Sequence, residues 1–353
     1  MRDTFNHPDW WRFPVGKTNT ICDISGVRVG HADIRGEGIC TGVTAILPHG
    51  GDLFRQPVPA AVSVLNGFGK SAGLLQLAEL GEIETPILLT NTFGVPVCTT
   101  ALIRRAIAAN PEIGRSVGTV NSLVLECNDG KVNDIQALSV TEADADRAID
   151  NASASFALGA VGAGSGMKTF GYAGGIGSAS RRLTLEGGAA YGLGALVLSN
   201  FGTQSDLRVF GQLVPPLPGG PSDEPDKGSI IILLATDAPL DSRQLGRIAR
   251  RSGAALGRLG SHIGHQSGDI AVAFSTATSE ISAGNDVHTA QRICESRMDT
   301  FFAAAVEVVE EAIVNAIWHS VPSRSYDGSI LPSFRDTYTA FTEGLAPAEK
   351  EIA

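Results

Sequence analysis

The sequence has no long apolar run, little positive charge and no apolar segment among its first residues. No stretch approaches the ~18 consecutive apolar residues that a membrane-spanning helix needs. The formal net charge of −10 argues against a nucleic-acid or anionic-membrane partner, because phosphate binding requires concentrated positive charge. The first residues contain no apolar segment like that of a signal peptide. We therefore expect a cytoplasmic protein that binds neither nucleic acid nor a membrane.

Cysteine is scarce and shows no pairing pattern. The five cysteines are widely spaced, with no Cys-x-x-Cys pair, at Cys22, Cys40, Cys98, Cys127 and Cys294. An odd number of scattered cysteines in so long a chain is typical of reduced thiols. The sequence therefore predicts no disulfide framework.

Two patterns resemble cofactor sites without completing them. His262 and His265 are three residues apart, with Asp269 nearby, but no clear third ligand accompanies them, and a solvated helix end explains them as well. The glycines at 162–166 do not stand at a strand-to-helix turn followed by an acid, as a dinucleotide site requires. We expect no metal and no dinucleotide.

What the sequence does contain is an interleaved series of strands and helices. Apolar, β-branched segments predict strands at 86–90, 122–127, 195–199, 230–235 and 270–274. Helical periodicity predicts helices at 71–81, 241–264 and 298–317, the second beginning with a capping box of Asp241 and Gln244. This alternation indicates an α/β or layered α+β fold.

The segment 214–228 interrupts this pattern with five prolines and no apolar periodicity. Proline lacks an N–H group and restricts its neighbour, so the segment is neither helix nor central strand. An inter-domain linker is one interpretation. The other is a flexible arm before a self-cleavage junction, because a strand of the buried type begins directly after Gly228. That arrangement would leave Ser229 at an exposed sheet edge.

Cleavage between Gly228 and Ser229 would create a nucleophile at a new N-terminus. A serine hydroxyl is weak unless a base accepts its proton, and a free α-amine on the same residue titrates near neutral pH. Gly228 suits the scissile position because it has no Cβ and tolerates strained backbone. A Gly-Ser pair alone is common in loops, so the interpretation depends on its neighbours.

Three polar residues stand near strand ends where they would support such a serine. Ser267 and Asp269 are two apart at a strand start, so their side chains can share one side, although a polar turn is the commoner use of these residues. Asn200 follows a strand, where its amide would stabilise an oxyanion or form a turn.

These segments together resemble the DmpA/BapA-type self-processing aminopeptidases. The resemblance rests on KGSIIILLATDAPL, SGDIAVAFST, VLSNFG, GGIGSASR, ISGVRVGH, ELGEIETPILLTNT and VEEAIVNAI, which occur along the chain in the same order as in the family, between about residues 22 and 319. It implies an α+β fold, a four-layer αββα sandwich like that of ornithine acetyltransferases. It also implies one catalytic domain cut into fragments 1–228 and 229–353, a homotetramer of these pairs, and no cofactor.

The resemblance also implies roles for individual residues. Ser229 matches the nucleophile, Ser267 and Asp269 its supporting pair, and Asn200 the oxyanion-binding amide. Glu126 matches the acid that binds the substrate's free amine, although a surface glutamate before the turn at 128–130 is the alternative. The chain departs from some family members at Asn128, where a tyrosine is expected, which puts the substrate pocket in doubt.

The predicted activity is removal of N-terminal residues from short peptides, amino-acid amides or esters through a seryl acyl-enzyme. An acyltransferase of the ornithine-acetyltransferase kind is the alternative, disfavoured because its nucleophile is usually threonine. A β-peptide-specific aminopeptidase is a further alternative within the family. The sequence does not distinguish α-L-, D- and β-amino residues.

Overall fold

The structure, a computed structural model, describes residues 10–215, 227–277 and 290–338. In these ranges the chain forms long strands of two sheets and short strands in hairpins. In chain order they are β1 Arg28–Gly36, β2 Ile39–Leu47, β3 Val58–Gly67, β4 Glu82–Ile83, β5 Ile87–Asn91, β6 Leu123–Cys127, β7 Lys168–Thr169, β8 Tyr172–Ala173, β9 Gly175–Thr184, β10 Ala190–Asn200, β11 Arg208–Val209, β12 Gln212–Leu213, β13 Ser229–Thr236, β14 Gly268–Ser275, β15 Ser323–Arg324 and β16 Ile330–Leu331.

The helices cover the outer faces of these sheets. They are α1 Leu74–Leu80, α2 Val95–Ala109, α3 Glu142–Asp150, α4 Ser242–Ala249, α5 Ser252–Arg258, α6 Met298–Trp318 and α7 Phe334–Thr337. No helix among the described residues is long and apolar enough to cross a membrane.

Two sheets form the centre of the molecule. One has four strands in the order β1-β2-β5-β6, and the other has six in the order β4-β3-β14-β13-β10-β9. Strands β13 and β14 are parallel, whereas β13 and β10 are antiparallel. Strand β13 is therefore an interior strand, hydrogen-bonded on both sides.

The alternation of apolar side chains on β13 generates four layers. Ile231 and Leu233 face the four-stranded sheet and share a core with Ile87 and Leu125. Ile230 and every second apolar residue after it on β13 face the opposite side, into a core shared with α4, α5 and α6. A third core lies between the four-stranded sheet and the helices α2 and α3. Successive side chains of a strand point to opposite faces of the sheet. A strand that is apolar at every position is therefore buried on both faces. The fold is an αββα sandwich of the α+β class, as predicted.

The predicted elements lie close to those observed. All five predicted strands are present, and Gly81 ends α1 with a left-handed φ of 71°. The side chain of Asp241 accepts a hydrogen bond from the Gln244 N–H, forming the predicted capping box.

The single helix predicted from 241 to 264 is wrong in its length. The chain leaves α4 at Arg250 and begins α5 at Ser252, and α5 ends at Arg258. Beyond it, Gly260 and Ile263 have positive φ values of 98° and 56°, which a helix does not allow. The apolar spacing continued past the break because both short helices bury apolar side chains in the same core.

The predicted linker, 214–228, is described only at its two ends. Val214 is fully buried in the core beneath α6 and donates its N–H to the Leu207 carbonyl. Residues 216–226 lie outside the described ranges.

Candidate active site

Ser229 is the first residue of β13 and lies at the end of an interior strand. The sheet register places Asn200 of β10 opposite it on one side and Gly268 of β14 on the other. Strand alternation turns its side chain toward the four-stranded sheet, where it contacts Cys127. Ser229 is only 6% exposed. The expectation of an exposed sheet edge is therefore wrong, because neighbouring strands pair with β13 on both sides.

Gly228 is required by close backbone contact. A Cβ built on it would lie 2.1 Å from the carbonyl oxygen of Asn200 and 2.5 Å from the Cα of Phe201. Its φ is not in the left-handed region. The glycine is therefore explained by this close contact and not by a strained backbone. The carbonyl oxygen of Gly228 accepts a hydrogen bond from the Gly268 N–H at 3.2 Å. A backbone donor is thus already directed at the carbonyl of the predicted scissile bond.

Gly268 permits this approach because it has no side chain. A Cβ at this position would lie 2.7 Å from the carbonyl oxygen of Phe68 and 3.4 Å from the Cβ of Ser229. The strand that carries Ser267 and Asp269 therefore passes directly beside Ser229.

Ser267 and Asp269 form a buried hydrogen-bonded pair. The Ser267 hydroxyl donates to Oδ1 of Asp269 at 2.6 Å, and both residues are at most 1% exposed. The side-chain amide of Asn66 donates to the carbonyls of Gly264 at 3.1 Å, His265 at 3.2 Å and Ser267. This one amide fixes the loop that carries Ser267.

The amide of Asn200 is oriented by two backbone groups. Its Oδ1 accepts from the Lys168 N–H at 2.8 Å, and its Nδ2 donates to the carbonyl of Asn128 at 2.9 Å. These contacts set which end of the amide is the donor, because an oxygen cannot donate to the Asn128 carbonyl. The donor end therefore points toward the turn that follows β6.

Asn128 takes part in the site through its backbone. Its side chain is exposed, and its Oδ1 accepts from the Gly130 N–H at 2.9 Å within the turn at 128–130. Its carbonyl accepts from Asn200. The side chain is thus held in its own turn.

Glu126 is a buried carboxylate held by two donors. It is 4% exposed, Oε1 accepts from the Lys70 N–H at 2.7 Å, and Oε2 accepts from the Thr92 hydroxyl. The alternative of a surface glutamate is wrong. A carboxylate has about four acceptor positions, so two neutral donors leave room for a further, charged donor.

Cys127 follows Glu126 on β6 and contacts Ser229. Burial raises the pKa of its thiol well above the usual range, the nearby charge of Glu126 raises it further, and the contact with Ser229 acts in the opposite direction. The thiol donates to the Leu198 carbonyl at 3.6 Å. It therefore stays protonated and is a poor nucleophile beside Ser229.

Several groups of the site were not predicted from the sequence. They are the backbone N–H groups of Gly268 and Lys168, the carbonyl of Asn128, and the side chains of Asn66 and Thr92. Backbone donors have no side-chain signature, and Asn66 and Thr92 are 201 and 34 positions from the residues they hold. The one sequence signal for any of these groups was the Asn-Gly pair at 66–67, which marks the end of a strand.

The candidate metal ligands do not converge. His262 and His265 are both exposed. In the part of the chain that the structure describes, no three His, Cys, Asp or Glu side chains form a cluster suited to a metal ion.

A four-layer αββα sandwich with a serine as first residue of a central strand is the arrangement of a hydrolase of the N-terminal-nucleophile type. Relatives define the class further. The sequence profile of Peptidase family S58 matches residues 19–331, and the chain belongs to this family.

Three relatives of known activity cover nearly the same length. The β-peptidyl aminopeptidase BapA of Sphingosinicella microcystinivorans is 36% identical over 329 residues, 86% of this chain and 82% of the relative. The structure of a Burkholderia β-aminopeptidase is 36% identical, with a TM-score of 0.85 and coverage of 96% and 97%. The L-aminopeptidase D-Ala-esterase/amidase of Ochrobactrum anthropi, a prototype serine aminopeptidase with a variant Ntn hydrolase fold, is 32% identical, with a TM-score of 0.86 and coverage of 96% and 97%.

Proposed function

We propose that this protein is a self-processing serine aminopeptidase that releases N-terminal residues from short peptides, amino-acid amides or esters. The observation that supports it best is the register at the start of β13. It pairs Ser229 with Asn200 on one side and Gly268 on the other, and it directs the Gly268 N–H at the Gly228 carbonyl.

The first step is cleavage of the chain by its own serine. The Ser229 hydroxyl oxygen attacks the Gly228 carbonyl carbon, and the Gly268 N–H stabilises the negative charge on the carbonyl oxygen. The C–N bond breaks, the nitrogen takes a proton to become the Ser229 α-amine, and Gly228 remains as an ester on the serine. Water hydrolyses this ester, which leaves fragments 1–228 and 229–353.

The same hydroxyl then acts on substrates. The free α-amine of Ser229, supported by the Ser267–Asp269 pair, accepts the hydroxyl proton. Attack on the substrate carbonyl gives a tetrahedral oxyanion stabilised by the Asn200 amide and the Gly268 N–H. Collapse protonates and expels the leaving amine, and water hydrolyses the acyl-enzyme. These residue roles are part of the proposal.

Glu126 gives the reaction its exopeptidase character. A buried carboxylate held by neutral donors attracts the ammonium of a free N-terminus, because the charge is poorly screened at 4% exposure. An N-acetylated substrate has no such charge and leaves the carboxylate without a cationic partner.

A β-amino acyl preference is the second candidate for the substrate. Two of the three relatives above are β-aminopeptidases, and the third acts on L-amino and D-alanyl compounds. A β-amino acyl substrate has one more carbon between its reacting carbonyl and its amine than an α-amino acyl substrate has. Parallel assays with alanine and β-alanine amides distinguish them.

The two fragments would remain one cytoplasmic catalytic domain. Strand β13 of the second fragment lies between β14 of the same fragment and β10 of the first, so the cut passes through a shared core. We further propose a homotetramer of these pairs, as the family resemblance implies.

Intact-mass analysis of the purified protein tests the first step. We expect two pieces of 228 and 125 residues (353 − 228 = 125) that co-elute under native conditions, with Ser229 as the new N-terminus. Ser229→Ala should stay uncut and inactive, whereas Ser229→Cys should retain some cleavage. A protein that remains one chain, or an active alanine variant, would refute the proposal.

A further inference from the structure

A cavity of about 740 Å³ lies beside the amine-binding carboxylate and has no part in the mechanism above. Its walls are mostly apolar, with Phe93, Val95, Leu138 and Val140 among them. Ligand-binding pockets typically measure roughly 300–1,000 Å³ and combine apolar walls with a few fixed polar groups. The cavity has the size and lining of a site for an apolar group.

The two residues that hold Glu126 also line this cavity. They are Lys70, whose N–H donates to Oε1 at 2.7 Å, and Thr92, whose hydroxyl donates to Oε2. Two residues before Lys70, the carbonyl of Phe68 lies over Gly268, beside the nucleophile. The segment 68–70 therefore connects the reacting centre, the carboxylate and the cavity over a short distance.

The polar end of the cavity is preorganised. Asn91 lines it, and its Oδ1 accepts from the Gly94 N–H at 2.8 Å. The Nδ2 of Asn91 donates to the Thr41 hydroxyl at 3.0 Å and to the buried Asp129 at 3.3 Å. These bonds fix the start of α2, which forms one wall.

We infer that this cavity receives the apolar substituent on the amine-bearing carbon of the substrate, and so selects bulky apolar N-terminal residues. This inference rests on the proposed aminopeptidase function. The first atom of such a substituent is only about 2.5 Å from the nitrogen, as bond lengths and angles dictate. When the ammonium contacts Glu126, the substituent must start next to Lys70 and Thr92.

The same geometry separates two isomers of a β-amino residue. A substituent on carbon 3 is bonded to the amine-bearing carbon and enters the cavity. A substituent on carbon 2 is bonded next to the carbonyl and lies nearer Ser229. Lys70 lines the cavity and its ammonium lies 4.4 Å from the centre of the Phe68 ring, so a second cation nearby, from a lysine or arginine side chain, is disfavoured.

The test compares p-nitroanilides of glycine, alanine, leucine, phenylalanine and lysine, together with β-alanine and its 2- and 3-isobutyl derivatives. For the native protein we expect kcat/KM to rise about 10- to 100-fold from glycine to leucine, the range that burial of such a side chain provides. Among the β-amino substrates, only the 3-isobutyl compound should show a comparable gain.

Ser139→Trp, which fills the cavity from its half-buried wall, should abolish most of the leucine preference, measured as the ratio of kcat/KM for leucine to that for glycine. Ser139→Leu is a milder second variant, and self-cleavage of either variant shows that it has folded. Ala108→Trp, on the exposed face of α2, is the matched control and should behave as the native protein.

The outcomes separate the inference from the proposed function. A protein that hydrolyses none of these amides refutes the aminopeptidase function itself. Hydrolysis without preference for bulky apolar residues, an equal gain with the 2-isobutyl compound, or a preference that survives in folded Ser139→Trp overturns the cavity assignment alone.

Discussion

Replacing Gly228 by alanine tests the geometry of self-cleavage separately from catalysis. The new Cβ would lie 2.1 Å from the Asn200 carbonyl oxygen, a backbone atom that cannot rotate away. An ordinary contact of 3.4 Å requires these groups to separate by about 1.3 Å (3.4 − 2.1). The variant therefore cannot keep residue 228 in its present position.

A displacement of this size has a direct effect on the scissile carbonyl. The carbonyl of residue 228 accepts from the Gly268 N–H at 3.2 Å, which is near the upper limit of a good hydrogen bond. Misplacing reacting groups by about 1 Å costs on the order of 10²-fold in rate, and losing an oxyanion donor costs 10²–10³-fold. We expect cleavage of Gly228→Ala to be slower by 10²-fold or more.

The effect should end once the bond is cut. Residue 228 is then a free C-terminus, and Ser229, Asn200 and the Gly268 N–H are unchanged, so activity per cut molecule should equal that of the native protein. A time course of intact mass gives the cleavage rate, and amide hydrolysis normalised to the cut fraction gives the activity. Gly257→Ala is the control, because a Cβ there meets nothing within 4 Å. Native-rate cleavage of Gly228→Ala would refute the close-contact argument, and low activity of the cut variant would show that residue 228 also serves turnover.

Three further predictions concern individual side chains. Asn200→Ala should lower kcat by about 10²–10³-fold with little change in KM, measured by steady-state kinetics; a raised KM at native kcat would make Asn200 a binding residue. Glu126→Gln should raise KM for substrates with a free amine and leave the poor N-acetylated substrates unaffected; equal cleavage of both kinds by the native protein would contradict an aminopeptidase. Burial raises the pKa of Asp129 to about 6 from 3.8, despite hydrogen bonds from Thr41, Asn133 and Asn91. The folded state then binds this proton more tightly than the unfolded state does. The contribution of Asp129 to the free energy of unfolding is therefore complete below pH 4 and is lost as the pH rises to about 6. In Asp129→Asn the free energy of unfolding should fall less between pH 4 and pH 7, by on the order of 3 kcal/mol. Urea unfolding across pH 4–7 measures this difference. An unchanged dependence of the unfolding free energy on pH would refute the assignment.

Much of the fold is encoded locally. The segment 230–235 is apolar at every position, which is typical of a strand covered on both faces, and β13 is indeed buried throughout. Asp241 and Gln244 fix a helix start through bonds within one turn, so spacing alone identifies them. Periodicity failed at the break after α4, because two short helices that bury apolar side chains in one core have the same apolar spacing as one long helix.

The candidate site is only partly encoded in this way. Ser229 stands out because a proline-rich arm leads directly into a buried strand, and Ser267 and Asp269 because they are two positions apart. Their meeting depends on parallel pairing of β13 with β14, which brings Gly268 beside Ser229 across 39 positions of chain (268 − 229). Periodicity identifies a strand but not its partner, since every interior strand of this sheet is apolar on both faces.

The sequence by itself therefore determined which residues are candidates for the chemistry, because side-chain type and local spacing are written in it. The tertiary structure alone decided how they are oriented. The Asn200 amide is turned by the Lys168 N–H and the Asn128 carbonyl, and the Gly228 carbonyl is met by the Gly268 N–H. Every residue except proline has the same backbone donor and acceptor, so only packing and strand register select the ones that form the site.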